Sequence, residues 1–144
     1  MRECCGNIYQ AARKSAGFTQ DNAAELLHIS VRSLGAYETG ETTPPDDVVC
    51  NMVEIYEAKY LGYLHLKNST EVGRKYLPEI NLTDIAKSVL KLQKEVGDLS
   101  KINSAMIEIA CDGEVDGKEK GQWREITREI DEMAGAALAV TFAL

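Results

Sequence analysis

The sequence predicts an all-α protein, and three observations carry that expectation. Apolar residues recur at three- and four-residue steps through most of the chain, helix start and stop residues stand at the ends of those runs, and the second half holds two long apolar seams. With 144 residues, 44% of them hydrophobic, the chain is long enough for one domain or two small ones.

The elements follow in order. A first helix is expected over residues 3–16, with Ile8, Ala11 and Ala12 inward and Gly17 as its stop. Thr19 stands at an N-cap position, and Ala23, Ala24 and Leu27 then recur on one face of a second short helix. Ser30 opens a third, in which Leu34 and Tyr37 face inward while Arg32, Ser33 and Ala36 lie opposite. The small Ala24 lets these two helices cross closely. After the loop Glu41-Thr42-Thr43-Pro44-Pro45, Pro45 suits the first position of a fourth helix through Val48, Val49, Met52 and Ile55. A fifth, over residues 58–66, closes the small core, and residues 67–81, with Gly73 and Pro78, read as a connector.

Two short helices with a tight turn between them make a helix-turn-helix signature. Residues 13–44 resemble the Xre/Cro-type helix-turn-helix of phage repressors and bacterial transcriptional regulators, through Arg13, Gly17-Phe18-Thr19-Gln20, Ala24, Leu27, Ile29-Ser30, Leu34, Tyr37-Glu38, Gly40 and Pro44. The resemblance implies a phage-repressor-like five-helix domain over residues 1–66, whose third helix enters the DNA major groove by its N-terminal end. The DNA-reading residues it implies are Ser30, Val31, Arg32 and Ser33, with Ala36 a turn later. Arg32 suits a guanine, since its forked guanidinium can bond O6 and N7 together, and Val31 or Ala36 suits a thymine methyl. Gln20 is the family's usual backbone clamp and can also brace the third helix; Thr39, Thr42 and Thr43 are candidate phosphate donors. Arg13 is expected to pair internally with Glu38 rather than reach phosphate. Two positions depart from the family pattern. His28 stands in the turn where Gly is commonest, which calls for positive φ, and Gly35 sits inside the third helix at a cost of about 1 kcal/mol relative to alanine.

Charge argues against tight binding by a single head. Residues 1–66 carry five basic and nine acidic side chains, and residues 67–144 eleven and fourteen, for a net charge of −7. Few phosphate-neutralising groups per subunit mean weak non-specific affinity, so two half-sites held by a dimer are needed. The dimerising element is expected in residues 82–144. There Leu82, Ile85, Val89, Leu92, Val96, Leu99, Asn103, Met106 and Ala110 follow heptad spacing, and Trp123, Ile126, Ile130, Met133, Ala137, Val140 and Leu144 repeat it on a second helix from about residue 117. An intramolecular hairpin explains both seams. Ala86, Leu90, Ile102, Ile107 and Ile109 widen the first helix's apolar surface beyond one partner and favour a homodimer. Asn103 is either a register-fixing seam residue or one that faces the surface or is satisfied within the hairpin.

The segment CDGEVDGKE between the seams has calcium-loop features, but neither register supplies a full oxygen cage. An inter-helix turn at Asp112-Gly113, followed by an Asp116–Glu119 capping box, accounts for it. Cys4, Cys5, Cys50 and Cys111 with His28 and His65 lack zinc-site or disulfide-framework spacing, and the adjacent Cys4-Cys5 pair reads as reduced thiols rather than a redox sensor. No signal-type opening appears and the longest apolar run, residues 134–144, is too short for a bilayer, so a cytoplasmic protein without membrane association is expected. No catalytic set, cofactor motif, metal-ligand motif or small-molecule site is evident, which leaves a dimeric transcriptional repressor on a palindromic operator as the leading reading. The alternative keeps the fold as an antirepressor or antitoxin-like module that binds protein through its acidic surface.

Overall fold

The computed structural model describes residues 7–143, and among these the chain forms eight α-helices and no strand. They fall into two compact units that divide between Leu77 and Pro78. The expected start of the first helix at residue 3, the Cys4-Cys5 pair and the seam residue Leu144 lie outside the described residues.

The first unit holds α1 (Asn7–Ser15), α2 (Gln20–Leu26), α3 (Val31–Thr39), α4 (Asp46–Ile55), α5 (Lys59–Ser69) and α6 (Glu71–Tyr76). Its core is built from Tyr9, Ala12, Ala23, Ala24, Leu27, Leu34, Val49, Met52, Tyr56, Ala58 and Leu61, all buried. On α1 the inward face is Tyr9, Ala12 and Arg13, whereas Ala11 is exposed, contrary to the sequence expectation. The larger Tyr9 sets the rotation of α1, because its hydroxyl enters a buried polar chain. It lies 2.7 Å from Nδ1 of buried His65, whose Nε2 lies 3.0 Å from an oxygen of Asp46. Since the Asp46 carboxylate only accepts, Nε2–H donates to it, and the chain of contacts joins α1, α5 and α4.

Residues 67–81 are not simply a connector. Thr70 caps α6, accepting from the Gly73 amide at 2.9 Å, and Lys67 is buried with its ammonium donating to the Leu77 carbonyl at 2.8 Å. Gly73 explains the tight α5–α6 turn: a Cβ there would stand 2.0 Å from the Leu66 carbonyl oxygen. A glycine and a capping threonine, read in sequence as linker residues, here allow close backbone approach and start a helix.

The second unit contains two long helices, α7 (Ile85–Ala110) and α8 (Lys120–Thr141), packed against each other. Asp84 caps α7, accepting from the Lys87 amide at 2.9 Å. Between the helices Gly113 takes φ 79°. Asp116 accepts from the Lys118 and Glu119 amides, while the Glu119 carboxylate accepts from the Asp116 amide at 3.0 Å, which is the reciprocal capping arrangement. Gly135 of α8 lets the chain just before α7 cross closely, since a Cβ there would lie 2.2 Å from the Glu79 carbonyl oxygen.

The seam of α7 is rotated from the one read in sequence. Leu92, Leu99 and Met106 are half-buried as expected, but the positions interleaved with them are Ser88, Glu95, Ile102 and Ile109 rather than Val89, Val96, Asn103 and Ala110. Ile102 and Ile109 outweigh Asn103 and Ala110 in apolar area, and they turn the C-terminal half of α7 toward α8. A continuous helix carries its other half with it. Ser88 and Glu95 are thereby buried, while Ile85, Val89, Leu90, Val96 and Ile107 stay exposed, Leu90 at 70%. Ser88 is accommodated by a hydrogen bond of 3.1 Å with the Thr83 hydroxyl.

Candidate nucleic-acid interface

The α2–turn–α3 geometry is set by side-chain caps at both helix starts. Thr19 accepts from the Asn22 amide at 3.2 Å, and Ser30 accepts from the Ser33 amide at 3.0 Å. Between them His28 adopts φ 55°, the left-handed conformation that the turn demands. Helix α3 ends at Gly40 with φ 76°. Buried Ala23, Ala24, Leu27 and Leu34 fill the space where the helices meet, so the two N-termini are held in a fixed relation.

A buried ionic bracket ties α3 to the scaffold. Arg13 of α1 donates from Nε and Nη2 to the two oxygens of Glu38, at 2.6 and 3.0 Å, and from Nη1 to the Phe18 carbonyl at 2.8 Å. Arg13 is only 7% exposed and Glu38 only 4%. The hydrogen bond from Arg13 to Glu38 holds the guanidinium further above its already high ordinary value. Gln20 completes the bracket, donating from Nε2 to Glu38 at 3.0 Å. Nearby, burial and then the Glu38 charge push the Tyr56 hydroxyl up to about 12.

The sequence-derived reading residues come together on the outer side of α3. Val31 and Arg32 are exposed at its first turn, Ser30 is exposed with its hydroxyl 2.8 Å from that of Ser33, and Ser33 and Ala36 are half-buried behind them. Arg32, Ser33, Ala36 and Thr42 line one open groove with Tyr37 and Glu41. Tyr37 and Glu41 were not among the expected site residues: Tyr37 follows the inward apolar pattern, and an acidic residue after a helix end carries no recognition signal in sequence. Thr39 is exposed, and its hydroxyl donates back to the Ala36 carbonyl at 3.3 Å. Gln20 stands apart from the groove residues, with its amide nitrogen committed to Glu38.

Gly35 faces Gln20. A Cβ built on it would meet the Gln20 amide nitrogen at 3.6 Å, an ordinary contact, so packing within the unit does not require glycine there. The exposed basic residues of the described unit are Lys14, Arg32, Lys59, Arg74 and Lys75; Arg13 and Lys67 are buried and leave the surface charge to these five.

Residues 10–59 match the family model described as a helix-turn-helix domain, a span from within α1 to the start of α5. No curated protein and no solved structure matches the chain. Among the described residues no helix is long and apolar enough to cross a membrane. With its two capped helices, positive-φ turn and outward-facing third helix, the N-terminal unit carries a helix-turn-helix domain, a fold of DNA-binding proteins.

Proposed function

We propose that this chain is a sequence-specific regulator of transcription, a repressor of the Xre/Cro type, that binds palindromic double-stranded DNA as a homodimer. The observation that carries the reading is the helix-turn-helix match together with the free N-terminal face of α3, where Val31 and Arg32 are exposed. Arg32 reads a guanine, Val31 and Ala36 contact thymine methyls, and Ser30, Ser33, Thr39 and Thr42 contact phosphates or base edges. Gln20 braces α3 from its bond to Glu38 and presents the N-terminus of α2 to the backbone. Gly35, unneeded for internal packing, leaves room for close approach of the DNA.

Homodimerisation through residues 82–144 is supported by the exposed strip Ile85, Val89 and Val96, three apolar residues at heptad spacing on one side of α7. A two-fold pairing of these helices matches a two-fold operator and offsets the small number of cations on each head. One observation favours the second reading, a protein-interaction module: Arg13 is buried away from the strip it would otherwise form with Lys14 and Arg32, and Glu41 stands in the groove beside Arg32.

The test is selection of sites by the full chain from random duplex DNA at moderate salt. A palindromic site is expected to be enriched. Replacing Arg32 with alanine is expected to weaken that site by about 1–3 kcal/mol and to relax preference at one base pair of each half-site, read by competition titration. Failure to enrich any sequence overturns the regulator reading and favours the interaction module; full selectivity in Arg32→Ala overturns only the role of Arg32.

A further inference from the structure

The rotation of α7 buries a carboxylate that the hairpin itself does not satisfy. Glu95 is 4% exposed and its Oε2 has no hydrogen-bond partner, while Oε1 receives only the Lys94 ammonium at 3.3 Å. Lys94 is engaged more closely by Asp98, at 2.9 Å. Lys101 also donates to Asp98, and these two lysines hold its carboxyl down at about 2. A buried carboxylate oxygen without a donor is costly, and a packed helix pair ordinarily supplies one.

Two further carboxylates from α8 converge on it. Oxygens of Glu95, Glu129 and Glu132, one from each side chain, all lie within 4.8 Å of one another. Arg128 donates to Oε1 of Glu129 at 3.0 Å and to Oε1 of Glu132 at 3.5 Å, and also to Glu125 at 2.9 Å. These bonds take one oxygen each from Glu129 and Glu132 and do not reach Glu95. The cluster thus combines three converging hard oxygen donors with one buried oxygen that has no protein partner.

We propose that Glu95, Glu129 and Glu132 bind a hard divalent cation that bridges α7 and α8. Metal–oxygen bonds of roughly 2.1–2.4 Å allow ligand oxygens up to about 4.8 Å apart across one ion, so three oxygens all within 4.8 Å of one another can share it. Carboxylate-only donors suit hard ions such as Mg²⁺, Ca²⁺ or Mn²⁺. The exposed side, at Glu132, leaves coordination positions for water. The site is separate from the acidic inter-helix loop, where Asp112 and Asp116 accept from backbone amides. It also stands independently of the DNA-binding reading.

The probe is MnCl₂ titrated into the chelator-stripped full chain, with free Mn²⁺ followed by its electron paramagnetic resonance signal and Ca²⁺ used as competitor. One saturable site per chain is expected, displaced by Ca²⁺, with a rise of several degrees in the melting temperature at saturating ion. Glu95→Gln and the half-exposed Glu132→Gln, each checked for unchanged helix content by circular dichroism, are expected to weaken binding tenfold or more, whereas Asp112→Asn leaves it unchanged. Absence of saturable binding overturns the proposal, as does equal binding in Glu95→Gln and Glu132→Gln. Loss of the site in Asp112→Asn also overturns it, by moving the ion to the loop.

Discussion

Two buried glutamates, one in each unit, meet opposite circumstances. Glu38 accepts three hydrogen bonds, from two nitrogens of Arg13 and from Gln20, and its charge is matched by a buried guanidinium. Glu95 accepts one long bond from a mostly exposed lysine and keeps an oxygen without a donor. The first belongs to a core that closes on itself. The second belongs to a pair of helices whose apolar residues are too widely spread for one partner, so that Val89 and Val96 face outward while Glu95 faces inward. A buried charge has no meaning by itself: one ties α3 to the scaffold, and the other is a consequence of helix rotation that leaves an oxygen unsatisfied.

Removing each carboxylate separates the two cases most strongly. Glu38→Ala leaves Arg13 buried and unpaired and is expected to destabilise the protein by about 3–5 kcal/mol in urea unfolding. The double variant Arg13→Met/Glu38→Leu should recover most of that loss; if it does not, the charge pair is not the cause. Outward-facing apolar residues on α7 come next. In the proposed homodimer, Val89→Lys combined with Val96→Lys is expected to weaken self-association about a hundredfold, read by sedimentation, because four lysines would then meet across its seam. A self-association unchanged by this pair would move the dimer contact elsewhere. In metal-free protein, Glu95→Leu is expected to do the reverse of Glu38→Ala and stabilise the hairpin by about 1–2 kcal/mol, since it removes an unsatisfied buried oxygen and adds apolar area. The fluorescence of Trp123, the one tryptophan of the chain, reports that unfolding. Smallest is Gly35→Ala, expected to raise stability by up to about 1 kcal/mol while weakening binding to a selected DNA site. A variant that gains stability and loses no affinity would show that the backbone of α3 does not approach DNA at that point.

Much of the N-terminal unit was legible because its signals are local. Thr19 and Ser30 announce helix starts, His28 takes the left-handed conformation expected of the turn and Gly40 ends α3 in the same region, and Arg13 and Glu38 stand where the internal pair was expected. Other features lacked a local signal. The left-handed backbone at Glu57, φ 51°, follows from the closure of α4 onto α5 and not from the residue type. The Tyr9–His65–Asp46 chain joins residues up to 56 positions apart, and such a contact has no spacing rule. Residues 67–81 read as a connector because polar residues, Gly73 and Pro78 are mixed there, whereas in the structure Thr70 serves as a cap and Gly73 allows a close approach.

Local signals in the sequence sufficed for the all-helical class, for the starts of α2 and α3, and for which side of α3 carries Val31, Arg32, Ser33 and Ala36, because caps, turn conformations and helical periodicity act over only a few residues; α6 and the exact ends of α5, α7 and α8 escaped them. Tertiary structure decided which of two competing apolar faces α7 turns toward α8. Heptad spacing fits either choice equally well. Only the packed pair weighs Ile102 and Ile109 against Val89 and Val96 along one continuous helix, and that balance buries Glu95 beside Glu129 and Glu132.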